Sequence, residues 1–407
     1  MFQEVFIASL LLTTIVVLLS LGVLTARRIM GVGGTVTVTV NNDQTFETTS
    51  GKRLFSALAD AGIYLSSACG GRGACGECRV QIDANCPVIL PLETEFIDTA
   101  DAARGVRLAC VVRLRKNLQV SIDTGLLTAK NWNCEVISSR FLSAYLKELV
   151  LRLPDKERLA FKAGEYIQVT IPSYQLDFRD IKPEEPVKRE WQRLRLDRLE
   201  SRVSEPVTRS YSLANPPQND REIRLVVKLA LPPAHAPAAA PPGKASSYLF
   251  SLVPGDHLPV SGPFGTFHAS DNDCEMIMIA GGAGISPMRS IILDQLARQT
   301  SRKMCLWYGA RSRPDLCYHA ELLALAKQHD NFDLYPVLSE PAETDDWSGD
   351  TGFVHAVLYE KYLKMHDDPG NAEYYLCGPP VMADAVLQML DVLGVNPERI
   401  FLDDFEP

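Results

Sequence analysis

One ten-residue stretch, Cys69-Gly70-Gly71-Arg72-Gly73-Ala74-Cys75-Gly76-Glu77-Cys78, constrains this chain more than any other. Four glycines among three cysteines disfavour both a helix and a strand interior. The segment must be a loop wrapped around something that thiolates bind. Its spacing is C-x5-C-x2-C, and Cys110 follows with 31 residues between it and Cys78. Three thiolates in one loop, with a distant fourth, can hold the two irons of a [2Fe–2S] cluster. Glycine lets the backbone bend tightly there and aim amides at the sulfurs. Structural zinc is the rival, but zinc sites favour two facing CxxC knuckles and only one exists here. The x5 spacing departs by one residue from the plant-type x4. Cys86 lies outside the set and reads as a small buried side chain.

The second constraint is at the N-terminus. Val5–Leu24 carries no charge over 20 residues, about 30 Å of helix, the thickness of a hydrocarbon core. A signal peptide needs a basic leader, and Glu4 is the sole charged side chain before the run. Arg27 and Arg28 follow it, so the positive-inside rule keeps the remainder in the cytoplasm. The expectation is one uncleaved membrane anchor with soluble domains on the cytoplasmic side, where disulfides are disfavoured. The 407 residues suggest two to four domains, and a net charge of −9 argues against a broad nucleic-acid-binding surface.

Along the chain, Gly31–Gly34 reads as a hinge. Thr35–Val40 and Gln44–Thr49 alternate at period two around Asn41-Asn42-Asp43, a hairpin. A short helix over Arg53–Ala61 and strands over Arg79–Asp83 and Leu118–Ile122 complete a small β-rich unit. Gly125–Asn131 reads as a linker. Residues 131–268 look antiparallel, with strands over Cys134–Ser138, Leu146–Leu153, Tyr166–Ile171, Thr208–Leu213 and Ile223–Lys228. Ser173–Thr208 is a charged excursion without apolar periodicity, and Leu231–Gly243 is a Pro/Ala-rich loop. From Cys274 onward strands alternate with helices, the pattern of a doubly wound parallel sheet. The boundaries that follow are 1–30, 31–128, 129–270 and 271–407.

Two nucleotide signals sit in these regions. Arg209-Ser210-Tyr211-Ser212 lies on a strand. A flavin needs a cation for its pyrophosphate, a flat ring against its isoalloxazine and a hydrogen-bonding group near N5. Arg209, Tyr211 and Ser212 can supply these in order. Gly243-Lys244-Ala245-Ser246-Ser247 opens a helix whose free amides, with the Ser246 hydroxyl, suit the same pyrophosphate. Gly262-Pro263-Phe264-Gly265 follows. Further on, Gly281-Gly282-Ala283-Gly284 joins a strand to a helix, with Gly282 and Gly284 making the turn that takes dinucleotide phosphates. Cys377-Gly378-Pro379-Pro380 ends a strand at the carboxyl edge, where ligands bind. Arg311 and Arg313 follow the second strand and leave NADH against NADPH open. Phe405 can cover a flavin ring until nicotinamide displaces it. The seven histidines and the Asp345–Asp346 pair show no ligand pattern.

NADH gives a hydride, an iron–sulfur cluster takes one electron at a time, and a flavin between them accepts the first and releases the second. The motifs CGGRGACGECRV, FKAGEYIQV, RSYSLAN, PPGKASSY, SGPFG, GGAGISPMRS, WYGARS, YYLCGPPVM and LDDF carry a resemblance over nearly the whole chain. The flavin and nucleotide parts resemble ferredoxin–NADP reductases, and the full order resembles the F subunits of sodium-translocating NADH:quinone reductases. That resemblance implies a transmembrane helix, a β-grasp [2Fe–2S] ferredoxin domain, an antiparallel β-barrel FAD domain and a doubly wound parallel α/β NAD-binding domain. It implies cluster ligation by Cys69, Cys75, Cys78 and Cys110, and makes the x5 spacing normal. FAD would be held by Arg209, Tyr211, Ser212, Gly243 and Ser246, and nicotinamide framed by Gly282, Gly284, Cys377, Gly378 and Phe405. Ser212, Ser246, Cys377 and Phe405 become the candidate catalytic positions. It also implies NADH over NADPH, and membrane partner subunits that reduce ubiquinone and move sodium ions. The competing enzyme is the reductase component of an aromatic-ring or alkane oxygenase, normally soluble. A third possibility is an anchored ferredoxin whose nucleotide sites have decayed.

Overall fold

The computed structural model describes residues 2–29, 34–123, 129–232, 240–342 and 346–404. The Gly31–Gly34 hinge except Gly34, most of the Gly125–Asn131 linker, much of the Pro/Ala-rich loop, Asp345 and Phe405 fall outside them. The chain forms two compact units, one of Met1–Ser67 with Gly71–Thr128, the other of Ala129–Pro407 with Ala68–Gly70.

The first unit begins with helix α1, Phe2–Ile29. Among the described residues, no helix is long and apolar enough to cross a membrane. The side chains of Val5, Phe6, Ala8, Ser9, Val23 and Leu24, within the expected span, lie outside the described ones. Then come β1 (Thr35–Val40), β2 (Gln44–Thr49), α2 (Leu54–Asp60), β3 (Arg79–Ala84), α3 (Thr99–Ala103), β4 (Val106–Leu108) and β5 (Leu118–Ser121). The expected hairpin forms, Thr35 opposite Thr49 through Val40 opposite Gln44. The sheet runs β2-β1-β5-β3-β4, with β1 and β5 parallel. Alternation in β1 sends Val36, Val38 and Val40 inward, where they meet Leu54, Leu58, Ile82 and Val120. The sequence reading missed α3 and β4, which are short. The first is set by its cap, Asp98 accepting from Asp101 N.

The second unit holds two six-stranded sheets. Its first half comprises β6 (Lys130–Phe141), β7 (Leu146–Arg152), β8 (Tyr166–Ile171), β9 (Tyr174–Asp177), α4 (Val187–Leu194), β10 (Glu200–Val203), β11 (Val207–Ser212), β12 (Glu222–Lys228), α5 (Lys244–Ser251) and β13 (His257–Phe264). The antiparallel sheet runs β11-β8-β13-β6-β7-β12. The charged excursion is not the aperiodic segment expected. It contains the antiparallel pair β9–β10 with α4 in the connection between them, anchored by Phe178 and Trp191, both fully buried. Trp191 Nε1 donates to Ala144 O at 2.8 Å, and its ring meets Phe141, Phe178 and Phe250. One tryptophan among eight residues is too sparse for a periodic signal but large enough to fix the segment.

The other half comprises β14 (Met276–Gly281), α6 (Ile285–Ala297), β15 (Met304–Ala310), α7 (His319–Gln328), β16 (Phe332–Leu338), β17 (Asp350–Thr351), α8 (Val354–Lys361), β18 (Glu373–Gly378), α9 (Pro380–Val392) and β19 (Ile400–Asp404). The sheet is parallel in the order β17-β16-β15-β14-β18-β19. Strand β14 is buried along its whole length, as a strand covered on both faces must be. Met276, Met278 and Ala280 enter one core and Ile277 and Ile279 the other.

Candidate functional site

The part of the cysteine loop from Gly71 to Cys78, in the first unit, is tied down by backbone geometry. Gly76 has φ +69°, and a Cβ there would stand 2.6 Å from the Phe96 ring, so the position accepts neither a side chain nor an ordinary backbone. Gly71 N donates to Ser67 Oγ at 2.8 Å, and Ser67 Oγ lies 3.9 Å from Cys75 Sγ. Ala109 N donates to Cys78 O at 2.9 Å, which sets Cys110 beside the loop. The Cys78 thiol is pushed far up by its hydrogen bond with Cys110, then by burial and the adjacent Cys110 and Cys75. The structure thus gathers Cys75, Cys78 and Cys110. Cys69, at the start of the loop, is buried. Among the described residues no set of three His, Cys, Asp or Glu is placed to hold a metal ion as it stands. Cys78 and Cys110 are buried and Cys75 half-buried, and thiols gathered around one loop fit the thiolate ligation of an iron–sulfur cluster. Cys86, expected to be buried, is exposed, its thiol 3.5 Å from Pro87 O.

In the second unit, β11 pairs with β8, Arg209 opposite Val169 and Tyr211 opposite Ile167, so Arg209 and Tyr211 share a face as alternation requires. Burial pushes the Tyr211 phenol up. Helix α5 opens at Gly243 without a side-chain cap. Ser246 Oγ donates to Gly243 O at 3.2 Å and accepts from Ala230 N at 3.1 Å. Its hydroxyl braces the turn, and what α5 offers an anion is its first-turn amides.

Strand β14 ends at Gly281, and Gly282–Gly284 turn once before α6. A Cβ on Gly284 would lie 2.1 Å from Cys377 O. The loop and the end of β18 therefore touch backbone to backbone, at the carboxyl edge where the topology puts ligands. Gly378 packs against the same loop, 3.1 Å from Gly281 N by the same measure. Arg311 stands 3.6 Å from Glu340, two residues beyond β16, an acidic neighbour for the basic cluster.

One polar contact between the two halves joins the flavin strand to the last strand of the nucleotide sheet. Ser212 Oγ donates to Asp403 Oδ2 at 2.8 Å, and Cys377 Sγ reaches the same oxygen at 3.7 Å. Ser212 and Cys377 are buried. Asp403 is held by the β18–β19 ladder, directly opposite Cys377. Sequence reasoning named the hydroxyl and the thiol but missed the carboxylate. Its one signal was an acid two residues before Phe405.

Residues 38–115 match the 2Fe-2S iron-sulfur cluster binding domain, 197–269 the oxidoreductase FAD-binding domain and 278–388 the oxidoreductase NAD-binding domain. Fold and matches define an NADH-dependent iron–sulfur flavoprotein of the ferredoxin-reductase type. Its cofactors are FAD and a [2Fe–2S] cluster. The F subunit of the Na(+)-translocating NADH-quinone reductase of Klebsiella pneumoniae is 44% identical over 406 residues, covering 99% of this chain and 100% of that one. Its counterpart in Methylococcus capsulatus is 44% identical over 403 residues, covering 99% of each. The chain belongs to this family of F subunits. Among solved structures, the Amycolatopsis reductase GcoB is similar with a TM-score of 0.64 and 25% identity, covering 91% of this chain and 99% of that one. The ferredoxin reductase of a carbazole 1,9a-dioxygenase has a TM-score of 0.61 at 22% identity, covering 92% and 99%, a likeness of fold.

Proposed function

We propose that this chain is the electron-input subunit of a sodium-translocating NADH:ubiquinone reductase. It takes a hydride from NADH on FAD and passes single electrons through its [2Fe–2S] cluster to other membrane subunits, which reduce ubiquinone and move sodium ions. The observation that carries this reading is full-length identity of 44% to the F-subunit relatives, against 22–25% for the oxygenase-type reductases.

When bound, FAD accepts a hydride and releases electrons singly, which a [2Fe–2S] cluster can accept. The residues position and tune. Cys69, Cys75, Cys78 and Cys110 would ligate the cluster. Arg209 and the α5 amides at Gly243–Ser246 would hold the FAD pyrophosphate, and Tyr211 would lie along the isoalloxazine. Ser212 would present its hydroxyl toward the flavin's reacting edge, oriented by Asp403. Gly282, Gly284, Cys377 and Gly378 would shape the nicotinamide slot, covered by Phe405 when empty. The antiparallel sheet would curl into the FAD barrel, the first unit's sheet would be a β-grasp, and the domains would divide at 30, 128 and 270.

Helix α1 would be a single-pass anchor in the bacterial inner membrane, with the other domains cytoplasmic. Its described apolar side chains are exposed, Leu12 and Leu19 each at 66%, more than a water-facing helix leaves uncovered. Thr14 Oγ1 donates to Leu10 O at 2.8 Å, satisfying a hydroxyl within the helix as hydrocarbon requires.

The test is copurification from detergent-solubilised membranes with assay of quinone reduction. Recovery in a complex whose rate depends on sodium supports the reading. A chain found in the supernatant of detergent-free lysate, alone, favours the oxygenase reductase.

A further inference from the structure

A closed ring of contacts joins the flavin strand to the nicotinamide loop, and no member of it is among the groups assigned to the reaction above. It starts at Ala214, two residues beyond Ser212. Ala214 N donates to Arg224 O at 2.8 Å. The Arg224 guanidinium donates to Glu148 at 2.8 Å, and Glu148 accepts the Tyr318 phenol at 2.5 Å. The Arg289 guanidinium lies over the Tyr318 ring, 4.5 Å from its centroid, and its Nη1 returns to Ala214 O. Ser290 doubles the last contact, its Oγ donating to Asn215 O at 2.7 Å. Asn215 Oδ1 accepts Arg224 N at 2.9 Å.

Arg289 is the junction. Its other two nitrogens fork onto Glu321 at 2.9 and 2.6 Å, and the side chain is buried. It sits one turn into α6, the helix that leaves the Gly282–Gly284 loop directly. Tyr318 has φ +59°, a left-handed backbone uncommon for an aromatic, at the residue that meets both Glu148 and Arg289. The ring therefore fixes where α6, and with it the nicotinamide loop, stands relative to the strand bearing Ser212. Hydride transfer needs reacting atoms about 3–3.5 Å apart, and a misplacement of about 1 Å can cost about 10²-fold.

We propose that Arg289 is a positioning residue for hydride delivery, setting the spacing between the nicotinamide loop and the flavin strand through Ala214, Glu321 and Tyr318. This rests on the reading that Ser212 and Cys377 flank the flavin–nicotinamide contact. The test is anaerobic stopped-flow reduction of FAD by NADH in the full-length, detergent-solubilised holoprotein. Arg289→Lys keeps the charge but loses the fork and the flat stacking face. The expected result is normal FAD content, an NADH dissociation constant within about threefold of wild type, and a limiting rate lower by about 10–100-fold. Glu321→Gln, at a side chain 38% exposed, is expected to lower the rate in the same direction by less. It carries the test if Arg289→Lys does not retain FAD. Unchanged limiting rates, or a loss confined to NADH affinity, overturn the proposal. A wild-type flavin that NADH does not bleach overturns the site reading and the proposal together.

Discussion

The Ser212 hydroxyl donates to the Asp403 carboxylate across 2.8 Å, joining residues 191 positions apart. The bond links the flavin strand to the last strand of the nucleotide sheet, with the Cys377 thiol on the same oxygen. A buried hydroxyl aimed by a carboxylate keeps one orientation. Asp403→Ala removes that control, and the limiting rate of flavin reduction by NADH is expected to fall about 10–100-fold. Cluster EPR after reduction by dithionite should be unchanged, because Asp403 contacts Ser212 and Cys377 and is not one of the cluster's four cysteines.

Cys75→Ala separates the two halves of the chemistry the other way. The thiol belongs to the loop that gathers Cys78 and Cys110. Its loss is expected to abolish the cluster's EPR signal while NADH still bleaches the flavin. Loss of both signals would mean that the cluster and flavin sites do not fold independently.

Gly284→Ala would drive a methyl group to 2.1 Å from Cys377 O, backbone against backbone, with no flexible side chain to yield. Loop and strand must separate. The expected cost is about 1–3 kcal/mol of stability, with weaker NADH binding in an equilibrium titration and FAD content retained.

Trp191→Ala tests whether the charged excursion is built into the flavin half. Removing a fully buried indole that stacks on Phe178 and Phe250 is expected to cost about 3–5 kcal/mol in thermal or denaturant unfolding. A change below about 0.5 kcal/mol, typical of a surface substitution, would contradict the packing described.

Glu148 makes the ring sensitive to acid. Burial works to raise its carboxyl, but hydrogen bonds from Tyr318, Arg224 and Arg140 outweigh it and hold the group below its ordinary value. A depressed folded value means that the stabilisation is full above the unfolded glutamate pKa of about 4.3 and is lost as pH falls through the folded one. The Tm advantage of wild type over Glu148→Gln is expected to be largest near neutrality and to shrink below about pH 4. An advantage that grows in acid would reverse the sign.

The parts most legible in the sequence were those with local signals. Strands β14, β15 and β18 read as unbroken apolar runs because a parallel sheet buries both faces. The cysteine loop announced itself through glycine and thiol spacing. Trp191 and Phe178 gave no period because they are the large anchors of a segment whose other apolar residues are scattered among many charged ones. Strand β13 was missed because Gly262 and Pro263 in its second half resemble a turn. Asp403 could be found only through the β18–β19 register that sets it opposite Cys377, and Arg289 only through the return of α6 onto Ala214. Both are tertiary facts.

The central claim is that one chain converts a hydride into single electrons delivered to a cluster. Anaerobic addition of NADH to the purified holoprotein, followed together by flavin absorbance and low-temperature EPR, tests it most directly. The account predicts that the flavin bleaches and the signal of a reduced [2Fe–2S] cluster appears in the same sample. A bleached flavin with no cluster signal, in protein that contains zinc but neither iron nor acid-labile sulfide, would contradict it.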